Sequence, residues 1–217
     1  MKESKLAKNY FDEWAADYDI AFEGGREEHW LQKLINRLFR RKTFALRDQH
    51  LKSLLKKLKL KNKKVLDIGC GTGQLSLAAA REGARVVGWD IAPEMTKICQ
   101  KKAKRLGLKA QFVVKDATRV KLPKVDIIFC IALIEYYRDF EPLLEKMFQA
   151  ARETLVLTDA RKIWWRLILR KILGQIKNFP VYYHDPKKVI ALAQKNGFKL
   201  EKEYSLHSFR TLVFERV

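Results

Sequence analysis

Little in this chain invites a membrane span, a metal or a disulfide. No stretch approaches the roughly 20 consecutive apolar residues that a helix needs to cross a bilayer. The start, MKESKLAKNYFDEWAADYD, is polar and mixed in charge, which argues against a cleavable secretory leader. Cysteine is scarce. Cys70, Cys99 and Cys130 are odd in number and 29 and 31 residues apart, with no CxxC pair and no Cys/His cluster. Disulfide and zinc readings are weak for such a set, and a reducing cytoplasm is the expected home. Internal repeats and low-complexity linkers are also missing.

Acidic residues are absent where they matter. Residues 36–64 hold 12 basic side chains and one acidic, Asp48, and residues 161–178 hold 6 basic and none acidic. Residues 1–35, by contrast, hold 5 basic and 8 acidic. The net charge of +20 is therefore concentrated, which suits an anionic surface or substrate. The bland alternative is solubility, or the charge enrichment of a heat-adapted protein.

What is present is enough for one core: 217 residues, 47% of them hydrophobic. Apolar residues recur at helical spacing through Trp30, Leu31, Leu34, Ile35, Leu38 and Phe39, and again through Leu51, Leu54, Leu55 and Leu58. From Val65 the pattern changes to short apolar runs alternating with amphipathic stretches. KKVLDI, RVVGWD, QFVVKD, VDIIFCIAL and TLVLTDA read as strands. QLSLAAAREG, PEMTKICQKKAKRLG, FEPLLEKMFQAAR and DPKKVIALAQKNG read as helices. Such alternation predicts an α/β fold, a parallel sheet with helices on both faces. FKLEKEYSL and FRTLVFERV follow each other with no helix between them and read as an antiparallel hairpin at one edge. The expected organisation is an N-terminal helical lid or extension over 1–60 and a cofactor-binding core over 61–217, with a basic amphipathic insertion at 161–180.

VLDIGCGTGQ, residues 65–74, carries the chemistry. Ligands of open α/β sheets sit beyond the carboxyl ends of the strands, and Gly69, Cys70, Gly71, Thr72 and Gly73 lie in such a place. Glycine lets backbone turn sharply and approach a ligand closely. The dinucleotide pattern G-x-G-x-x-G fails because residue 74 is Gln, and no Gly-Lys-Ser/Thr of a P-loop is present. Asp67 would repel a phosphate. Asp90 ends the second strand, where a carboxylate accepts from ribose hydroxyls, and Asp116 ends the third, where it can accept from an adenine amino group. Three acids so placed fit an adenosine that carries positive charge and no phosphates. S-adenosyl-L-methionine has that chemistry, with S-adenosyl-L-homocysteine as its product.

With those motifs in view, the chain resembles the class I S-adenosylmethionine-dependent methyltransferases over roughly Tyr10 to Val217. The resemblance rests on VLDIGCGTG, VVGWDIAPEM, VVKDA and VDIIFCIALIEYY, in the family's order and spacing. It implies a Rossmann-like sheet of order 3-2-1-4-5-7-6 with strand 7 antiparallel. It implies that Asp67, Gly69, Cys70, Gly71 and Gly73 line the methionine part of the cofactor. Asp90 and Ile91 would hold the ribose and adenine edge, Asp116 and Ala117 the adenine, and Cys130 and Ala132 would lie under the sulfonium end. NYFDEWAADYD is similar to the family's aromatic lid. Tyr10, Trp14 and Tyr18 share one helical face, which either covers the cofactor or packs the helix on the core.

Substrate clues are thinner. Where many small-molecule members carry a His, this chain has Ile134-Glu135-Tyr136, so Tyr136 takes that place. The Asn-Pro-Pro-Tyr and Pro-Cys signatures of nucleic-acid methylation are missing, which lowers the nucleic-acid reading. RKIWWRLILRKILGQIKNFPVYYHDP contains a basic amphipathic stretch with Trp165, Leu169, Ile172, Leu173 and Ile176 on one face. It suits a lid over a greasy anionic acceptor with peripheral membrane contact through 161–178, a helix packed on the protein's own surface, or a partner interface. His184, chosen from His29, His50, His184 and His207, is the candidate base, or else a cap of the following helix. Tyr182, Tyr183 and Tyr136 either orient an acceptor or fill the pocket wall. FPVYYHDPKKVIALAQKNGF also resembles magnesium-protoporphyrin and ubiquinone-pathway O-methyltransferases. The expected activity is methyl transfer to an O or N atom of a small, anionic or amphiphilic acceptor. An RNA-modifying methyltransferase and a non-catalytic cofactor-binding or membrane-surface protein are the rivals.

Overall fold

The computed structural model describes residues 2–23, 41–162, 181–206 and 208–217. Helix α1 (Lys2–Glu23) and helix α2 (Arg41–Leu55) precede the sheet. The core then runs β1 (Lys64–Ile68), α3 (Gln74–Arg81), β2 (Arg85–Asp90), α4 (Pro93–Arg105), β3 (Ala110–Val114) and β4 (Val125–Ile131). A 3-10 turn (Ile134–Tyr136) leads to α5 (Glu141–Ala150), β5 (Ala151–Ala160), α6 (Pro186–Lys195), β6 (Phe198–Leu206) and β7 (Phe209–Arg216). The seven strands lie in the order β3-β2-β1-β4-β5-β7-β6. β1 to β5 are parallel, and β7 runs antiparallel to both β5 and β6. The expected hairpin is therefore β6–β7, with β6 at the edge.

Alternate residues of the central strands bury opposite faces, as the period of two requires. Leu66, Ile128, Leu155, Leu212 and Phe214 pack under α5 and α6, against Leu144, Met147, Phe148 and Val189. Val65, Ile127, Phe129, Val156 and Val213 pack on the other side with Leu51, Leu54 and Leu55 of α2 and Leu75 and Ala79 of α3. Both faces being covered is why these strands read as unbroken apolar runs.

Several boundaries differ from expectation; β3 ends at Val114, so Asp116 lies two residues beyond the strand it was expected to end. β4 stops at Ile131, because Ala132 turns into the left-handed region at φ 52°. Its amide donates to the Thr158 carbonyl at 3.1 Å and to the Thr158 hydroxyl at 2.9 Å. α5 stops at Ala150, and Ala151 and Arg152 begin β5 instead of ending the helix. Pairing of Ala151 with Val125 draws this stretch into the sheet. The stripe expected from Trp30 to Phe39 and most of the 161–180 insertion lie outside the described residues.

Candidate functional site

All three glycines of the loop after β1 are left-handed, with φ of 74° at Gly69, 54° at Gly71 and 77° at Gly73. Side chains rarely adopt this conformation. The amides of Gly69 and Cys70 both donate to the Trp89 carbonyl, at 2.8 and 3.1 Å, and pin the loop to the end of β2. At Gly73 a methyl group would stand 2.8 Å from the Cys99 sulfur, so close packing also demands glycine there. At Gly71 a methyl would meet nothing within 4 Å. The loop therefore faces open space at its middle and packed core at its end.

Two buried carboxylates flank that opening. Asp90 accepts from the Gly71 amide at 2.8 Å through one oxygen and from the Ala92 amide at 2.9 Å through the other. Burial raises its pKa, and the amides of Ala92, Gly71 and Ile91 pull it back. Asp67 is 2% exposed and accepts from the Ser76 hydroxyl at 2.6 Å. Burial pushes its pKa up to about 7, against the Ser76 hydrogen bond, and the Asp90 charge adds to the rise. Neither carboxylate has a cationic side-chain partner among the described residues. The Thr72 hydroxyl in the same loop is buried with no hydrogen-bond partner among the described residues. Desolvated acids without counter-ions are costly, so this cradle fits a cationic ligand that brings its own donors.

Asp116 is differently placed. One of its oxygens accepts from the Thr118 amide at 2.9 Å and hydroxyl at 2.6 Å, and the other faces Arg119 at 3.2 Å. Its carboxylate therefore shapes its own turn, beside buried Ala117. Ile91 lies between Asp90 and the start of α4. α1 crosses this end of the sheet: Ser4 reaches the Thr118 hydroxyl at 3.5 Å, Asp12 accepts from the Glu94 amide at 3.3 Å, and Ala15 packs with Ala92 and Met95. Tyr10 sits edge-on to Phe11, and Phe11 edge-on to Tyr136, each at 5.2 Å between centroids. The side chains of Trp14 and Tyr18 lie outside the described residues. Phe11, one position off the expected aromatic stripe, is a wall residue that the spacing argument missed.

Near the end of β4, Cys130 is fully buried and burial raises its thiol pKa, so its side chain belongs to the core. His184 Nε2 lies 3.0 Å from the Ile134 carbonyl, which can only accept, so Nε2 carries the proton. The ring lies against Phe140 at 4.2 Å. The cap of α6 is Asp185, which accepts from the Lys187 amide at 2.9 Å. The Tyr182 amide donates to the Glu135 carbonyl at 2.7 Å, and the Arg138 guanidinium sits 5.6 Å from the Tyr182 ring centre. Residues 181–184 are thus stitched to the 3-10 turn that carries Tyr136, and Tyr183 is half-buried among them. His50 lies against Tyr204 at 4.7 Å, while His29 and His207 lie outside the described residues. No group of three or more His, Cys, Asp or Glu able to hold a metal occurs among the described residues.

A seven-stranded sheet of this order, with a glycine loop after β1 and acids at the ends of β1 and β2, defines the class I Rossmann-like methyltransferase fold. Residues 65–155 match the family described as methyltransferase domain. A magnesium protoporphyrin IX methyltransferase from Synechocystis, solved with bound S-adenosylhomocysteine, superposes with a TM-score of 0.80 at 24% identity, covering 99% of this chain and 100% of that one. The Synechocystis magnesium-protoporphyrin O-methyltransferase sequence is 28% identical over 64% of this chain and 64% of its own length. A ubiquinone biosynthesis O-methyltransferase from Salmonella paratyphi A is 30% identical over 61% of this chain and 57% of its own. The chain thus spans about half to two thirds of the length of most of the curated relatives it matches, and 36% of one. Its matched core, residues 65–155, is thus a methyltransferase domain, set in a fold shared with the class I S-adenosylmethionine-dependent methyltransferases.

Proposed function

We propose that the protein transfers a methyl group from S-adenosylmethionine to an oxygen of a small, anionic or amphiphilic acceptor. The observation that carries this reading is the pair Asp67 and Asp90, buried beside an open glycine loop with no cationic partner among the described residues. Bound there, S-adenosylmethionine supplies a methyl group already activated by a positively charged sulfur. The chain's part is to bind, orient and exclude water. Asp67 offers negative charge to the ammonium end, and Asp90 offers its remaining lone pairs to the ribose hydroxyls. The backbone of Asp116 and Ala117 borders the adenine. α1 closes the cleft through Phe11 and Tyr136.

His184 is held by Ile134 and Phe140, so its role in this reading is to anchor the chain after the insertion. A nucleophile that arrives ionised, such as a carboxylate or an acidic phenol, needs no base. The relatives named for magnesium-protoporphyrin and ubiquinone biosynthesis support an acceptor of this kind. Arg138 beside Tyr182, with exposed Arg161 and Lys162, supplies positive charge at the same side of the cleft.

The RNA-modifying reading rests on the basic run 36–64. Residues 56–64 lie at the opposite end of the sheet from the glycine loop, so phosphates held there keep a base away from the methyl group. Replacing Asp90 tests the cofactor assignment. Hydrogen bonds to a charged acceptor contribute roughly 1.5–3 kcal/mol each, so Asp90→Ala should weaken S-adenosylhomocysteine at least tenfold by calorimetry. Wild-type affinity in that variant removes the assignment. Radiolabelled S-adenosylmethionine offered with amphiphilic carboxylates and phenols tests transfer; tight cofactor binding with no labelled product would favour the non-catalytic reading.

A further inference from the structure

Much of the chain's positive charge gathers at one place in the fold. β1, β2 and β3 all begin at the rim opposite the glycine loop. Around that rim the connections 56–64, 81–85 and 104–109 carry six, two and three Lys or Arg side chains, against one carboxylate, Glu82. The connections are tied to one another. The Asn62 amide donates to the Gly83 carbonyl at 2.9 Å and the Arg85 amide to the Lys63 carbonyl at 2.8 Å. Lys64 stands beside Arg85, and Val86 beside Ala110, in the sheet register. Lys63 is paired with Glu153. Lys56, Lys59, Lys61, Arg85, Lys104 and Lys109 are exposed, and none has an ion-pair partner among the described residues.

We infer that this rim is a docking surface for an anionic phospholipid bilayer, holding the protein with its cleft turned away from the membrane. Charge complementarity requires a polyanion. Three features select lipid over other polyanions. The three connections contain no aromatic residue, so unpaired bases find nothing to stack on. Lysine outnumbers arginine eight to three, which suits a diffuse headgroup layer and departs from the arginine and aromatic enrichment of protein interfaces. Leu106 is 40% exposed, at the tip of the left-handed turn at Gly107, between Arg105 and Lys109. An apolar tip ringed by cations enters a headgroup layer and gains nothing against phosphate backbone. Attachment of this kind is peripheral, and no helix among the described residues is long and apolar enough to cross a membrane.

Sedimentation of the full chain with vesicles tests the surface independently of methyl transfer. Vesicles of phosphatidylglycerol and phosphatidylcholine should bind it, pure phosphatidylcholine should not, and binding should fall steeply with salt. Combining Lys59→Gln, Lys61→Gln, Lys104→Gln and Lys109→Gln should lower partitioning at least a hundredfold, because each cation near the surface contributes roughly fivefold. Leu106→Ser should lower it about fivefold. These positions lie away from the cleft, so unchanged S-adenosylhomocysteine affinity in the variants verifies that they fold. The inference is overturned if wild type ignores anionic vesicles. It also falls if the fourfold variant binds like wild type, if replacing Trp164 and Trp165 abolishes binding while the rim variant retains it, or if duplex RNA is held more tightly than the vesicles at the same salt.

Discussion

Asp67 should give up a proton when the cofactor enters. Burial lifts its carboxyl from the ordinary 3.8 to about 7, which corresponds to roughly 4 kcal/mol of unfavourable charge burial at 1.36 kcal/mol per tenfold step in proton affinity. At pH 7 about half of the unliganded molecules then carry the proton. An adjacent ligand cation favours the ionised form and offsets the desolvation. Binding at pH 7 should therefore release about half a proton per molecule through Asp67. Titration calorimetry of S-adenosylhomocysteine in buffers of different ionisation enthalpy reads this directly as a slope. Asp67→Asn should remove that part of the slope and weaken binding, and wild-type affinity should fall as pH drops below 7. The folded-state pKa is raised, so the unliganded fold binds more protons than the unfolded chain between 3.8 and about 7. Stability from this group is therefore lost as pH rises through that window, and unliganded Asp67→Asn should be the more stable protein at pH 8. Equal calorimetric slopes in wild type and variant would refute the argument.

Two further outcomes follow from the packing. Gly88 in β2 faces Phe112: an added methyl would lie 2.6 Å from the Phe112 ring and 3.0 Å from the Cys70 sulfur. Gly88→Ala should cost about 1–3 kcal/mol in urea unfolding, partly restored by Phe112→Leu; no loss would mean that the ring moves aside. His50 has its pKa lowered, first by burial and then by the Lys57 charge, and its Nε2 is buried with no partner among the described residues. Its folded pKa is depressed, so its effect is absent above pH 6.5 and destabilises the protein as pH falls below that. Thermal unfolding of His50→Phe should accordingly decline less than wild type between pH 7 and 5, and parallel curves would contradict the assignment.

The sheet order and the Asp67–Asp90 cradle were legible because their signals are local: a glycine loop after one strand and an acid at the end of the next. Cys130 shows how alternation decides more than motif position. It stands two residues after Ile128, so it shares that residue's face and packs in the same core cluster. At Asp116 the adenine reading leaves out Thr118, which two residues on captures the carboxylate in a turn. His184 left no trace of its anchorage, because its partner is the Ile134 carbonyl, 50 residues away. The charge runs were visible, but their gathering at one rim depends on which strands begin side by side. That is topology, not composition.

The stitching on either side of the post-β5 insertion has an evolutionary meaning. The Arg161 amide donates to the Ser208 carbonyl at 3.0 Å where the chain leaves the sheet, and Tyr182 binds Glu135 where it returns. With both gateposts fixed by backbone atoms, residues 163–180 can be rewritten, lengthened or exchanged between relatives at no expense to the glycine loop.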